Sequence, residues 1–430
     1  MNIDEFKNTF DNSRKWFLEE IQKPYHVYRL SKVYENKDYL KGNHKILQKE
    51  DAKYKGKELI TRKIVLNYAK TIFNFHATYL LGKPVSLSGD ELSKKTFTDI
   101  YKNGIYSTID YRILDRVNKY GDAYEYVYYD ADGKIKSKVF DSGDSYPVYD
   151  DFGNYLAFIE HWTDVQSNIS YWNVYYPTYV EHWSNEGGEE FLVNTAVNVS
   201  GLPIHYHNVN EDDYNFGESL LVDIKPILDE LEDILSKMGD AVYVNSLNPL
   251  PVCIGQRIDS TIPADVTGYV LNIDNGDYKM VSTEMDYNTI KVYLDNIKEM
   301  LNLVGCMPSV LGNSNVANVS EVSLKMLFHM ANIKAMDTVK WLNVGFQERF
   351  DKFKKILALQ NNIIKGDVDI EYNLSIPVAT DEVVKNLQTM KEIGAISNET
   401  IMEKSGLIQD VAVEKARIKG ENGEIISIVA

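Results

Sequence analysis

"VGCMPSVLGNSNVANVSEVSLKM", residues 304–326, separates two stretches of helical periodicity and fits neither. It holds Gly305, Pro308 and Gly312, then short polar side chains at Asn313, Ser314, Asn315, Asn318 and Ser320. Residues 305–320 carry no charge; Glu321 and Lys325 come only at the helical end. A helical hairpin closes with about two to eight residues. A connection this long and this neutral therefore needs a reason beyond reversing the chain.

Upstream, residues 288–304 put Ile290, Tyr293, Leu294, Ile297, Leu301 and Val304 on one helical stripe. Residues 216–240 do the same with Leu220, Leu221, Ile224, Ile227, Leu231, Ile234, Leu235 and Met238, and Pro226 either kinks this helix or opens a fresh one. Between them, 241–287 reads as a compact β-rich insert with a hairpin turning at Asn275-Gly276. Downstream, Ser320–Leu359 reads as one helix of about 60 Å. Its only weak point is Gly345, and no proline lies between Pro308 and Pro377. The strand "DVDIEYNLSIP" follows, then short helices starting near Asp381, Ser397 and Asp410.

Toward the N-terminus, residues 60–81 form an amphipathic helix stopped by Gly82 and Pro84, with His76 on its apolar stripe as a packed core histidine. Residues 105–120 read as a second helix. From Tyr124 to His207, short Tyr-, Val- and Trp-rich runs are divided by turn signals such as "DADGK" and "NEGGEE", giving an antiparallel meander. Residues 1–63 read as helical, polar and loosely ordered, with an exposed loop at "EDAKYKGKEL". There is no internal repeat. The fold class is α+β, with two to four structural regions expected for 430 residues.

Composition narrows the function. At 44% hydrophobic and 25% charged the chain is ordinary for a soluble globular protein, and its 30 tyrosines suit sheets and interfaces. Two cysteines, Cys253 and Cys306, fit a reducing compartment rather than a disulfide framework. No apolar run reaches the roughly 18 residues that span a bilayer, and the polar start carries no signal peptide. Net charge is −17 but uneven: residues 22–63 carry twelve Lys/Arg against five Asp/Glu. A groove-reading DNA binder is normally basic, so tight DNA binding is not expected, and the basic segment reads as a solvated arm.

No catalytic motif stands out. Gly82-Lys83 is no phosphate loop, because Ala77 and Pro84 occupy positions that need glycine and Ser/Thr. His205 and His207 share one strand face ahead of Asp212 and Asp213, so a zinc site is conceivable, but "GLPIHYHN" reads better as a strand entering a loop. Cys306 has no neighbouring histidine in sequence to activate it. No catalytic, cofactor-binding or metal-binding residue is assigned. A hydrolase around His205/His207 and a tyrosine-rich module for carbohydrate or protein remain as alternatives.

Four segments, in order, resemble the portal proteins of tailed bacteriophages, in particular the family of long-tailed phages infecting Gram-positive bacteria. "NYAKTIFNFHATYLLGKPVSL" (67–87) is similar to that family's N-terminal helix and its Gly-Lys-Pro turn. "NFGESLLVDIKPILDELEDILS" (215–236) resembles its glycine-serine entry into an acidic helix. "LGNSNVANVSEVSLKM" (311–326) resembles its Gly-Asn, small-residue segment, with Ser320-Glu321 where the family usually has Ser-Gly. "IGAISNETIMEKSGLIQDVAVEKARIKGE" (393–421) looks like its C-terminal helix pair.

The resemblance implies a portal-type fold: an α/β wing (1–215), stem helices (216–240 and 288–304), a small β-rich clip (241–287) and a tunnel loop (305–320). A long helix and strand (321–377) would return to the wing, and 378–430 would form a helical crown and tail. It implies a ring of about twelve copies at one capsid vertex of the virion, assembled in the host cytoplasm. Double-stranded DNA would pass through it during packaging and ejection without sequence-specific binding. Partners would be the terminase large subunit, head-completion or adaptor proteins, and capsid and scaffold proteins, with no membrane, cofactor or catalysis. Asn313, Ser314, Asn315, Asn318 and Ser320 would face the channel. Asp229, Glu230, Glu232 and Asp233 would form an acidic stem face, Gln256, Arg257 and Asp259 the clip contacts, and Trp341 and Phe346 the subunit packing. The neutral loop then has a physical reason, because each Lys or Arg at a phosphate adds affinity and a conduit must let DNA slide.

Overall fold

A computed structural model of the chain describes residues 3–54, 57–59, 61–242, 250–255, 277–281, 286–308, 326–375, 380–405, 414–415 and 417–418. Two compact units divide it: residues 1–307 with 330–375, and 308–329 with 376–430. The architecture is mixed α and β.

The N-terminal helices α1 (Ile3–Asn8), α2 (Trp16–Glu20) and α3 (Pro24–Lys41) are anchored, not loosely ordered. Trp16 and Phe17 are fully buried. Trp16 Nε1 donates to Tyr176 Oη at 3.0 Å, and Phe17 packs on Trp172 and Trp183. Adjacent aromatics in a polar segment give no periodic signal, which is why sequence reading misses the anchor. The expected loop at 50–59 instead forms a small antiparallel pair, β1 (Ala52–Tyr54) with β2 (Lys57–Leu59).

Helix α4 (Tyr68–Leu81) begins eight residues later than the apolar pattern suggested, and β3 (Ser86–Gly89) follows. Helix α6 (Tyr106–Tyr120) is the helix expected at 105–120, and α5 (Glu91–Gly104), which the sequence reading did not include, precedes it; Asp90 caps α5 by accepting from Ser93 N. The meander is as expected in kind. Strands β4 (Asp122–Tyr129), β5 (Ile135–Val139), β6 (Ser145–Tyr149), β7 (Tyr155–Thr163), β8 (Ser170–Tyr175), β9 (Tyr179–Ser184), β10 (Phe191–Val197) and β11 (Ile204–His207) make two antiparallel sheets. Their orders are β10-β9-β8-β7-β6 and β11-β4-β5.

Helix α7 (Leu221–Val242) is seated by its glycine-serine entry. Ser219 Oγ donates to Lys119 O at 2.6 Å, covering a carbonyl at the end of α6, and accepts from Leu221 N at 3.1 Å. Gly121 and Gly217 meet backbone to backbone, and a Cβ on either would strike the other's peptide. Pro226 lies inside α7. Strands β12 (Leu250–Ile254) and β13 (Asp277–Val281) pair antiparallel; Asn275 and Gly276, the expected hairpin turn, lie outside the described residues.

Helix α8 (Tyr287–Val304) packs Ile297 and Leu301 into one core with Leu221, Ile224, Leu228 and Leu231 of α7, Ile72 and Phe73 of α4, and Tyr39 and Leu40 of α3. Helix α9 starts at His329, after a turn residue, and runs to Leu359, about 46 Å for its 31 residues. Strand β14 (Val368–Glu371) pairs with β3. In the second unit, α10 (Thr380–Glu392) and α11 (Asn398–Lys404) match the expected helices, with Ser397 capping α11. Only fragments at 414–415 and 417–418 of the third are described, and they are helical.

Candidate functional site

Helices α7 and α8 pack together, and a strap holds α7. Residues 62–66 run extended along α7. Their alternate amides donate to α7 side chains: Arg62 N to Asp240 Oδ1 (3.0 Å), Ile64 N to Ser236 Oγ (3.0 Å), Leu66 N to Glu232 Oε1 (2.7 Å). The match is geometric. Four extended residues span about 13 Å, and eight helical residues span about 12 Å, so every second amide meets every fourth helix residue. This capture explains the late start of α4. Ile64 and Val65 carry helical spacing, but tertiary acceptors take the local amides.

Glu232 is the centre of this arrangement. It is fully buried, and its Oε1 also lies 2.6 Å from His44 Nδ1. His44 Nε2 donates to Tyr39 O at 2.9 Å, and its ring stacks on Tyr39. The expected acidic face of Asp229, Glu230, Glu232 and Asp233 is therefore not one surface. Glu232 points inward, where it accepts from the strap amide of Leu66 and contacts His44. Asp233 lies 2.7 Å from Lys49 Nζ and 2.6 Å from Lys237 Nζ, and those hydrogen bonds hold its carboxyl below the usual range. Asp229 is half-buried and burial raises its pKa. Glu230 is exposed and accepts from Tyr293 Oη at 3.0 Å. The basic segment is correspondingly not just a solvated arm, since its Lys49 pairs with Asp233 of α7.

Helix α8 shows its other side to solvent. Val292 (59% exposed), Met300 (57%) and Leu303 (59%) lie along one stripe. At its end, His76 Nε2 donates to Gly305 O at 2.7 Å, and Met307 is buried with its amide on Asn302 O (2.8 Å). His76 is thus a core histidine that ties α4 to the first residue of the uncharged segment. Burial pushes its pKa down to about 4. Asn313, Ser314, Asn315, Asn318 and Ser320, and likewise Gln256, Arg257 and Asp259, lie outside the described residues.

Of the two residues expected in subunit packing, Trp341 is half-buried. Phe346 is fully buried within its own chain, edge-on to Tyr206 at 6.0 Å between centroids, so it is a core residue and offers no subunit surface. Beside it lies a network that sequence reading missed. Arg349 is fully buried, with Nη1 donating to Asp110 Oδ1 (2.5 Å) and Tyr101 Oη (3.0 Å), and Nε to Glu125 Oε2 (2.9 Å). Tyr206 Oη donates to the same Glu125 oxygen at 2.6 Å. The guanidinium also lies 4.4 Å from the Phe346 ring centroid. Burial pushes Asp110 up to about 6 against the pull of Arg349. In sequence, "FQERFDKF" looks like an exposed charged helix, and only the alternating Phe residues hint otherwise.

His205 offers nothing to a substrate. Its Nε2 donates to Asp122 Oδ1 (2.8 Å), its Nδ1 accepts from Tyr149 Oη (2.5 Å), and its ring stacks on Tyr124. His207 Nδ1 lies 3.1 Å from Asn208 O. Among the described residues no group of three or more His, Cys, Asp or Glu side chains is placed to hold a metal.

Comparison with known proteins agrees with this architecture. No curated protein matches the chain. Among solved structures, a chain from the neck of an empty GTA particle computed with C6 symmetry superposes with a TM-score of 0.50 at 12% identity, covering 79% of this chain and 89% of that one. A chain from the virion of a native gene transfer agent (GTA) particle covers 79% and 88% at 14% identity, with a TM-score of 0.43. The first shares the fold. The model of the family described as phage portal protein, SPP1 Gp6-like, matches residues 22–427. With nearly the whole length matched, the chain belongs to the SPP1 Gp6-like family of phage portal proteins.

Proposed function

We propose that copies of this chain assemble into a ring of about twelve at one vertex of a phage capsid, and that double-stranded DNA passes through the ring in packaging and ejection. The observation that carries this is the α8 stripe. Val292, Met300 and Leu303 stand in solvent on a helix whose other face is already packed against α7 and α4. A helix apolar on two faces is covered on two faces. In a closed ring the neighbouring copy supplies the second cover through a head-to-tail contact. The helix then leads directly into residues 305–320, where no side chain is charged. Asn313, Ser314, Asn315, Asn318 and Ser320 would make brief hydrogen bonds to a passing duplex and no lasting ion pairs.

In this reading 241–287 projects as a clip, and Gln256, Arg257 and Asp259 meet the terminase large subunit and later the head-completion or adaptor proteins. Capsid and scaffold proteins hold the ring at the virion vertex after assembly in the host cytoplasm. The role is structural and not catalytic. No described helix is long and apolar enough to cross a membrane. Negative-stain imaging with native mass spectrometry of the purified chain tests the proposal. Rings with a central hole support it, and a compact monomer at every concentration and salt, with no ring even alongside scaffold protein, removes it.

A further inference from the structure

The chain has a net charge of −17, yet one of its clefts is lined by lysine. A cavity of about 520 Å³ between α3, α4 and α6 is bordered by Lys37, Lys41, Lys70, Lys119, Asn74 and Asp141. Two of the lysines have internal partners: Lys37 pairs with Asp141, and Lys119 lies 2.7 Å from Asp115. Lys41 and Lys70 have no acidic partner among the described residues and are exposed.

Helix electrostatics explains only part of this. Lys41 and Lys119 sit in the last turns of α3 and α6, where a cation complements the carbonyl end of the dipole. Lys70 is placed the opposite way. It stands in the first turn of α4, where the dipole disfavours a cation, and neither a first-turn acid nor a side-chain cap offsets it. A concave, net-positive surface concentrates field and attracts anions. The Asn74 side-chain amide, one turn further along α4, supplies a neutral donor to the same space.

We propose that this cleft is a phosphate site, and that its ligand is the phosphodiester backbone of nucleic acid, held by Lys41, Lys70 and Asn74 with Lys37 and Lys119 behind them. The choice of DNA as polyanion rests on the portal reading; the phosphate chemistry does not. The site lies on elements other than the uncharged segment and the exposed acids of α7, so one chain carries a surface that holds phosphate and another that lets it pass.

The test uses the full chain, with a fluorescent 20-bp duplex and, separately, inorganic phosphate as probes, across a salt series. Wild type is compared with Lys41→Ala/Lys70→Ala and with a control, Lys94→Ala/Lys95→Ala, on the exposed side of α5. The cleft variant is expected to bind the duplex more weakly, and its slope of log K against log salt should be shallower by about 2, at roughly 0.9 per phosphate contact. The control should behave as wild type. Phosphate that competes only at high concentration identifies the nucleic-acid backbone. Phosphate that protects Lys41 and Lys70 from acetylation as well as the duplex does identifies a free-phosphate source, and still supports the site. Equal duplex binding and equal salt slopes in the cleft variant and wild type overturn the proposal, as does binding of poly-glutamate in preference to both phosphate probes. Ring formation is scored on the same samples. Rings without cleft binding leave the portal reading standing, and cleft binding without rings does the reverse.

Discussion

Glu232→Ala is the most direct test of how α7 is held. The substitution removes one carboxylate that accepts from the Leu66 amide and lies 2.6 Å from His44 Nδ1, so both lose their partner. A buried polar group left without its partner costs about 1–3 kcal/mol, so with two such groups a loss near 3 kcal/mol is the working figure. The unit that contains the stem has roughly 350 residues, which at about 2.1 cal/mol/K per residue gives an unfolding entropy near 0.7 kcal/mol/K and a drop in Tm of about 4 °C. Two readouts are needed, because melting alone does not locate the damage. Hydrogen exchange should show the Leu66 and Ile64 amides losing protection while amides in β7 and β8 keep theirs. Asp233→Ala serves as the contrast. Its partly exposed pairs with Lys49 and Lys237 should be worth less than about 1 kcal/mol. A Glu232→Ala protein that melts within about 1 °C of wild type and keeps the Leu66 amide protected would refute the strap.

Three further outcomes are expected. Leu303→Asp should leave the melting of the isolated chain within about 0.5 kcal/mol of wild type, since the side chain is exposed, while ring yield in negative stain falls sharply; an unchanged yield would mean α8 is not the contact. His76 has a folded pKa of about 4 against an ordinary 6.5, so the folded state binds fewer protons between these values and stability falls as pH drops through that window. At pH 5 the loss from this group is about 2 kcal/mol relative to pH 8, and urea unfolding of His76→Gln should show a correspondingly weaker acid dependence. Asn313→Lys or Asn315→Lys should assemble normally but package less DNA in vitro, recovering in part at higher salt, whereas Asn313→Ser or Asn315→Ser should package as wild type. Equal packaging at every salt would remove the channel role of this segment.

The sequence was readable wherever local chemistry and tertiary environment agreed. Helix α8 was legible because its stripe and its Asp286 cap, which accepts from Thr289 N, point the same way. The meander was legible because its turns are written in Gly, Asn and Asp. Reading failed where a distant partner overruled a local pattern. Ile64 and Val65 fit a helix, but Asp240, Ser236 and Glu232 hold that backbone extended. Arg349 looks like surface, and its burial depends on Asp110 and Glu125 more than 200 positions away. Helix α5 could have been found, since Asp90 marks its start, but its two buried residues, Ser93 and Phe97, are too few to show a period.

The charge of the stem carries the same lesson into function. Residues 217–240 contain seven acids against two bases, which reads as a face able to repel phosphate. Glu232 is buried, Asp233 is matched by lysine, Asp240 receives the Arg62 amide, and Asp229 is half-buried. Glu218, Asp223 and Glu230 remain in solvent. The acids nearest the basic segment thus serve cohesion, and only the outward ones are free to set the field. In the proposed ring, three exposed carboxylates per copy would give a negative collar, and screening would limit its reach to about 8 Å at physiological salt. Such a collar discourages close approach without holding a duplex at a distance. In the proposed ring, contact with DNA would then fall to the uncharged segment that follows α8.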